Sequence, residues 1–149
     1  MMEENFNKEK IIERIGDIKN VVLELEKFQK MDLDEFLKDN DNYNLSAYHL
    51  RIAIEAVLTI GTHILSRIPQ NGKKKDYTQV ILSLGDYNVL SKDFSQKIKG
   101  MAGYRNRLVH LYWKIEPKEL LTVIKENLGD LGEFISYIEK FLKDTKPLN

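Results

Sequence analysis

Two long stretches of this 149-residue chain repeat apolar residues at the spacing of an α-helix. Such spacing places one apolar stripe along a helix, whereas a half-buried strand needs strict alternation, which no segment shows convincingly. The chain is therefore predicted to be all-α. The first stripe, in a helix over residues 7–30, is Ile11, Ile15, Ile18, Val22 and Leu25. The second, in a helix opened by Glu116 and Pro117, is Pro117, Leu121, Ile124, Leu128, Leu131, Ile135, Ile138 and Leu142.

Capping residues and helix breakers divide the chain between these two helices. Asp32 and Glu35 resemble a capping box for a short helix over residues 33–38, and the polar run 39–42 is predicted to break it. A second long helix is predicted to start at Asn44 or Ser46 and to end at Arg67. Its expected apolar stripe is Leu45, Tyr48, Ile52, Ala56, Ile60 and Ile64, with Ala53 and Val57 beside it.

The remaining helices are predicted from a loop and two caps. Residues 69–75 are a loop by composition, and Asp76 can cap a helix that continues to about residue 84 and ends at Gly85. Ser91 is expected to cap a helix over residues 92–111. The predicted fold is an antiparallel bundle of four main helices with short extra helices.

The composition fits one globular domain over residues 1–149, with 42% hydrophobic and 31% charged residues. There is no cysteine, which excludes disulfides, thiol nucleophiles, iron–sulfur clusters and thiolate zinc sites. No apolar run approaches the roughly 18 residues of a membrane span, and the N-terminus lacks a secretory pattern. The cytoplasm is therefore the expected location.

The charges cancel over the whole chain but are unevenly distributed along it. The 23 basic and 23 acidic residues give a net charge of zero, which argues against a protein that coats polyanions. Residues 73–107, however, contain 8 basic and 3 acidic side chains, whereas residues 1–72 contain 9 and 13. A function that involves phosphate is therefore sought first in the basic segment.

The three histidines differ in their surroundings. His49 and His63 have no metal-ligand partner three or four residues away, so they are interpreted as surface or half-buried polar residues, and no metal site or cofactor is predicted. His110 ends the basic segment, together with Arg105, Asn106 and Tyr112.

These residue types suit the cleavage of a phosphodiester without a metal ion. A neutral imidazole accepts the proton of a ribose 2′-hydroxyl, and an imidazolium donates one to the leaving oxygen. An arginine binds phosphate through two N–H groups and stabilises the charge of the transition state, while Asn106 orients the histidine or a phosphate oxygen. The competing interpretation is a polar helix end, with solvated Arg105 and Arg107 and with His110 placed favourably near the helix C-terminus.

The spacing of Arg105 and His110 sets a geometric condition on such a site. Five residues correspond to a rotation of about 140° on a regular helix, so the two side chains diverge. Either the helix distorts near Gly103 or at its end, or two copies of the chain complete one site together.

Residues 101–112 resemble the signature of HEPN-domain proteins and, more narrowly, of the HepT-like toxin family, in which Arg-x4-His-x-Tyr follows late in a helical bundle. The polar residue after the arginine is here Asn106. The likeness extends over residues 8–143 and includes residues 36–39, residues 53–56 and the closing helix.

The resemblance implies a homodimer in which two Arg105–His110 motifs face one cleft and form a metal-independent endoribonuclease site. It also implies a type VII-like toxin–antitoxin system, in which a nucleotidyltransferase antitoxin inhibits the toxin by adenylylating Tyr112. The implied partners are a second copy, this antitoxin and an RNA substrate, without DNA or a membrane. The alternatives are a non-catalytic HEPN module that binds nucleotide or a nucleotidyltransferase, and a structural dimerisation domain.

Other residues are interpreted as structural, with possible functions beside the site. For Glu55 and Asp39 the alternatives are a place near the site and, as the favoured interpretation, a solvated or capping carboxylate. Residues Lys73–Lys75 are expected to form a solvated loop rather than an RNA contact. Trp113 and Tyr104 are expected to be buried against the last helix or at a dimer interface rather than stacked on a base. Gly100 and Gly103 lie within the predicted helix 92–111, where glycine costs up to about 1 kcal/mol, so a close approach of another helix is expected, which would fit a dimer seam.

Overall fold

The computed structural model describes residues 7–68, 75–110 and 112–145, apart from the side chain of Tyr112. These residues are mostly helical and include no strand, which confirms the all-α prediction. The elements are α1 (Lys8–Gln29), α2 (Leu33–Leu37), α3 (Asn40–Ser66), α4 (Tyr77–Asp86), α5 (Lys92–Ile98), α6 (Met101–His110), a short 3₁₀ helix (Tyr112–Lys114) and α7 (Pro117–Asp144).

The three long helices α1, α3 and α7 build the core, because α1 packs against both of the others and α3 also contacts α7. The expected stripes of α1 and α7 are largely buried, with Val21 in place of Val22 on α1. Ile18, Leu25, Ile64 and Phe134 are completely enclosed. No described helix is long and apolar enough to cross a membrane.

The start of α3 differs from the prediction, because the polar run 39–42 caps the helix instead of preceding it. The Asp39 carboxylate accepts a hydrogen bond from the backbone N–H of Asp41 at 2.9 Å. The side chain of Asn42 donates to the carbonyl oxygens of Glu35 and Phe36, both at 3.3 Å. Side chains that compete with the backbone in a helix interior are thus favourable at its first turn, and α3 begins at Asn40.

The buried face of α3 follows the predicted stripe at Ala56, Ile60 and Ile64 but differs from it in the first half of the helix. Ala47, Leu50 and Ile54 face the core, whereas Leu45 and Tyr48 are 48% and 51% exposed. A difference of one or two positions turns a helix by about 100–200°. An apolar part of α3 therefore remains on the surface of the chain.

The helix α4 continues through Gly85, which was predicted to end it. A Cβ atom at Gly85 would overlap the side chain of Ser95 on α5, so the glycine permits two helices to pack closely. The chain changes direction after α4 at Asn88. Its φ of 62° lies in the left-handed region, which asparagine tolerates better than most residues.

Replacing Gly85 with alanine is expected to destabilise the protein by about 1–3 kcal/mol, because the new methyl group has no space beside Ser95. Gly129 on α7 is the matched control, since a Cβ atom there meets no atom within 4 Å. Gly129→Ala is expected to stabilise by up to about 1 kcal/mol through helix propensity. Urea unfolding of both variants measures the difference, and equal effects would contradict the packing at Gly85.

The prediction of one helix over residues 92–111 is wrong in one respect. The segment is divided at Lys99 and Gly100 into α5 and α6. Glycine favours such an interruption since it lowers the cost of leaving the helix. The expected close approach of another helix is not found among the described residues of this chain, since Cβ atoms at Gly100 and Gly103 would meet nothing within 4 Å.

Candidate functional site

The candidate catalytic residues lie together on α6, after its separation from α5. Arg105 and Asn106 occupy the middle of the helix and His110 is its last residue. Arg105 is partly buried, with 23% of its side chain exposed, whereas Asn106 and His110 are exposed. The helix is continuous through Gly103, so a distortion at Gly103 does not bring Arg105 and His110 to one side, and they diverge by about 140°.

A carboxylate on a helix that is distant in sequence but packed against α6 holds Arg105 in place. Its Nε and Nη2 atoms donate hydrogen bonds to Glu55 Oε2 on α3 at 3.3 and 3.1 Å. The other carboxylate oxygen of Glu55 accepts from Arg51 Nη1 at 2.8 Å. Glu55 thus joins two arginines, and its negative charge is compensated by both.

The guanidinium of Arg105 retains capacity for a further ligand. Arginine has five N–H donors; two are directed at Glu55 and one, on Nη1, donates to Asn106 Oδ1 at 3.2 Å. No described residue accepts a hydrogen bond from the two remaining N–H groups, one on Nη1 and one on Nη2, which can bind two oxygens of a phosphate. Glu55 and Asn106 therefore fix the orientation of this arginine without using all its donors.

The favoured interpretation of Glu55 as a solvated or capping carboxylate is wrong, and the alternative, a place near the site, is the one observed. Fifty residues separate it from Arg105, and nothing in the local sequence indicates this long-range pair. For Asp39 the capping interpretation is confirmed, since its side chain caps α3. Asp39 lines a different depression, which also includes Trp113.

Arg107, two residues after Arg105, has a structural role. It donates two hydrogen bonds to Glu119 on α7, at 2.7 and 3.0 Å, and this contact lowers the pKa of Glu119. Tyr104 lies below Arg107, with the guanidinium 5.4 Å from its ring centroid. Burial, followed by the charge of Glu119, raises the pKa of Tyr104 above its usual range. Tyr104 is half-buried and packs against the core beside Val123 of α7, so its predicted burial against the last helix is confirmed in part. Arg105 and Arg107 are therefore both paired with carboxylates, whereas the polar-helix-end interpretation predicts that they are solvated.

Trp113 differs from Tyr104, because it is 64% exposed. Its predicted burial against the last helix is wrong, and the alternative position at a dimer interface stays a prediction. The side chain of Tyr112, together with Lys73 and Lys74, lies outside the described residues, and Lys75 is half-buried just before α4.

The other two histidines have the half-buried environments expected for them. His63 Nε2 accepts a hydrogen bond from the backbone N–H of Asn7 at 3.1 Å, and burial lowers the pKa of His63. Within the described part of the chain, no group of three or more histidine or carboxylate side chains is placed to hold a metal ion.

A cleft with a volume of about 590 Å³ opens beside Arg105. Glu55, Thr59 and His63 on α3, Lys10 on α1 and Tyr77 on α4 contribute to its lining. The volume falls in the range of about 300–1,000 Å³ that is typical of ligand sites. Arg105 is therefore accessible to a ligand of nucleotide size.

Comparisons with known proteins show what this chain is similar to. A family model described as "Ribonuclease HepT-like" matches residues 10–138. The "tRNA nuclease HepT" of Aphanizomenon flos-aquae (strain 2012/KM1/D3) is 29% identical over 118 residues, which cover 79% of this chain and 80% of that protein. The "mRNA nuclease HepT" of Shewanella oneidensis is 26% identical over 129 residues, which cover 87% and 96%.

A solved structure extends the likeness to three dimensions. The tri-AMPylated Shewanella oneidensis HEPN toxin, determined in complex with an MNT antitoxin, superposes with a TM-score of 0.76 at 25% sequence identity. The match covers 88% of this chain and 97% of that toxin. It confirms the HEPN-like helical fold expected from the sequence.

Proposed function

Because the chain belongs to the HepT-like ribonuclease family, we propose that it is an endoribonuclease and the toxin of a toxin–antitoxin pair. The observation that carries the proposal is Arg105, which Glu55 and Asn106 orient in an open cleft with two N–H donors left for phosphate. The tRNA and mRNA nucleases among its relatives support RNA as the substrate, and the cytoplasm is the proposed location.

The proposed reaction uses the 2′-hydroxyl of the ribose as the nucleophile. His110 in its neutral form accepts the 2′-hydroxyl proton, and a protonated histidine donates a proton to the departing 5′-oxygen, so the protons balance without a metal ion. Arg105 stabilises the additional negative charge on the phosphate in the transition state. The side-chain oxygen of Asn106 accepts a hydrogen bond from Arg105 Nη1 and so keeps the guanidinium in position.

A homodimer would supply the second histidine and bring arginine and histidine side chains to one cleft. Arg105 and His110 diverge on the regular helix α6, which favours a site completed by two copies. The exposed apolar residues Leu45 and Tyr48 lie on α3, and Tyr48 shares a surface depression with Leu108 of α6. A second copy that covers this surface would bury Leu45 and Tyr48 and would lie next to the Arg105–His110 motif.

The proposed antitoxin is a nucleotidyltransferase that adenylylates Tyr112, two residues after His110. The AMPylated toxin in complex with an MNT antitoxin supports this form of regulation. Adenylate next to His110 would exclude RNA because it is bulky and carries the same negative charge as the substrate.

Expression of this chain alone is expected to arrest growth, and co-expression with the proposed nucleotidyltransferase antitoxin is expected to relieve the arrest. Intact-mass analysis should then show one or more added AMP units, and peptide mapping should place them on Tyr112. Tyr112→Phe is the matched control, because it removes only the hydroxyl that is modified; it should remain toxic and unmodified. Relief of the arrest without modification of the chain would contradict the proposed regulation, and absence of arrest would favour a non-catalytic module.

A further inference from the structure

The cleft beside Arg105 extends well beyond the candidate catalytic residues. Along α3, Glu55, Thr59, Thr62 and Ser66 follow one another in steps of four and three and all line the cleft. Eleven residues of α-helix span roughly 16 Å. The cleft therefore continues from Arg105 along a polar face of α3 to the region where α1 begins.

The far end of the cleft carries positive charge and hydrogen-bond donors. Lys10 on α1 is exposed and lines this end together with His63 and Thr62. Because His63 Nε2 accepts the N–H of Asn7, the hydrogen of its neutral ring is on Nδ1. The lowered pKa of His63, caused by burial and by nearby Arg67 and Lys10, favours that neutral form.

The near end of the cleft combines an arginine with an aromatic ring. Tyr77, the first residue of α4, is 43% exposed, and the Arg105 guanidinium lies 5.8 Å from its ring centroid. Glu55 is the acidic residue of the lining, and Arg51 and Arg105 compensate its charge. Because the charge of Glu55 is compensated, the charge of Lys10 makes the net charge of the cleft positive.

We propose that this cleft is a nucleotide-binding subsite that holds the RNA strand next to the cleaved phosphate, with Tyr77 stacked on a base and Lys10 bound to a flanking phosphate. An exposed aromatic ring in a groove lined by cationic side chains is the arrangement that binds single strands without sequence preference. The hydroxyls of Thr59 and Thr62 line the path between these two contacts and can donate to phosphate or ribose oxygens. The proposal rests on the proposed function, because it takes RNA as the ligand.

The test measures binding of a fluorescent single-stranded RNA whose 2′-O-methyl groups prevent cleavage. Lys10→Met is expected to weaken binding several-fold and to reduce the slope of log affinity against log salt by about 0.7, the contribution of one phosphate contact on a single strand. Lys140→Met, which removes an exposed lysine of α7, is the control and should leave affinity and slope unchanged.

The aromatic contact is tested with a pair of tyrosines at the two ends of α4. Tyr77→Ala is expected to weaken binding about tenfold, as expected for one lost base stack, while Tyr77→Phe keeps wild-type affinity. Tyr87 is the matched control, since it follows α4 and is 41% exposed; Tyr87→Ala should bind normally.

The outcomes separate this proposal from the proposed function. Normal binding by Lys10→Met and Tyr77→Ala would overturn the subsite even if His110 proved essential for cleavage. Loss of binding in both variants, with cleavage independent of His110, would support the subsite and contradict the catalytic assignment. Free AMP serves as a second probe, and AMP binding as tight as RNA binding would overturn the assignment of an RNA strand.

Discussion

Replacing His110 with alanine is expected to lower the rate of RNA cleavage by about 10²–10⁴-fold, which is the usual contribution of a general acid or base. His110 is exposed at the end of α6, so its removal leaves no cavity in the core and the variant should remain folded. Single-turnover cleavage of a labelled RNA measures the rate, and circular dichroism verifies the helical content.

His49→Ala is the control for this variant, because His49 is a half-buried histidine on α3 whose ring contacts Tyr48 rather than the cleft. It should cleave RNA at a rate close to that of the wild type. If His110→Ala cleaves as fast as the wild type, His110 is neither acid nor base in the reaction.

Replacing Arg105 with alanine is expected to lower the rate by about 10²–10³-fold, because one preorganised donor to the transition state is lost. Arg105→Lys should restore little of this rate, since an ammonium group cannot bind Glu55 and two phosphate oxygens in the same planar arrangement. The measurement is again single-turnover cleavage, with saturating enzyme so that weaker RNA binding does not limit the rate.

Arg107→Ala is the matched control on the same helix. Arg107 is two residues from Arg105 and is paired with Glu119, so its loss should reduce stability slightly and leave the rate of the chemical step almost unchanged. Equal losses of rate in the two variants would indicate that general positive charge, rather than the oriented guanidinium of Arg105, supports cleavage.

Local sequence signals were sufficient where one residue determines a helix boundary. Asp32, Asp76 and Ser91 cap the predicted helices through hydrogen bonds to the backbone, and Pro117 opens α7 as expected. The errors occurred where tertiary packing decides the outcome. Gly85 remains helical because Ser95 packs against it. Neither the sequence around Gly85 nor the sequence around Ser95 reveals this contact.

The candidate site shows the same division. Arg105, Asn106 and His110 are recognisable because they lie within six residues of one another. The pairing of Glu55 with Arg105 and the cleft could not be predicted, since they depend on α3 packing against α6. The catalytic roles, the homodimer, the modification of Tyr112 and the single domain over residues 1–149 stay predictions.

The central claim is that this chain cleaves RNA by attack of the 2′-hydroxyl without a metal ion. Its most direct test is incubation of the purified protein with RNA in EDTA, followed by mass analysis of the new 3′ ends. We predict cleavage in EDTA, 3′ ends with a 2′,3′-cyclic phosphate, and no cleavage of RNA with 2′-O-methyl groups. Cleavage that requires Mg²⁺ and leaves a 3′-hydroxyl would contradict the account.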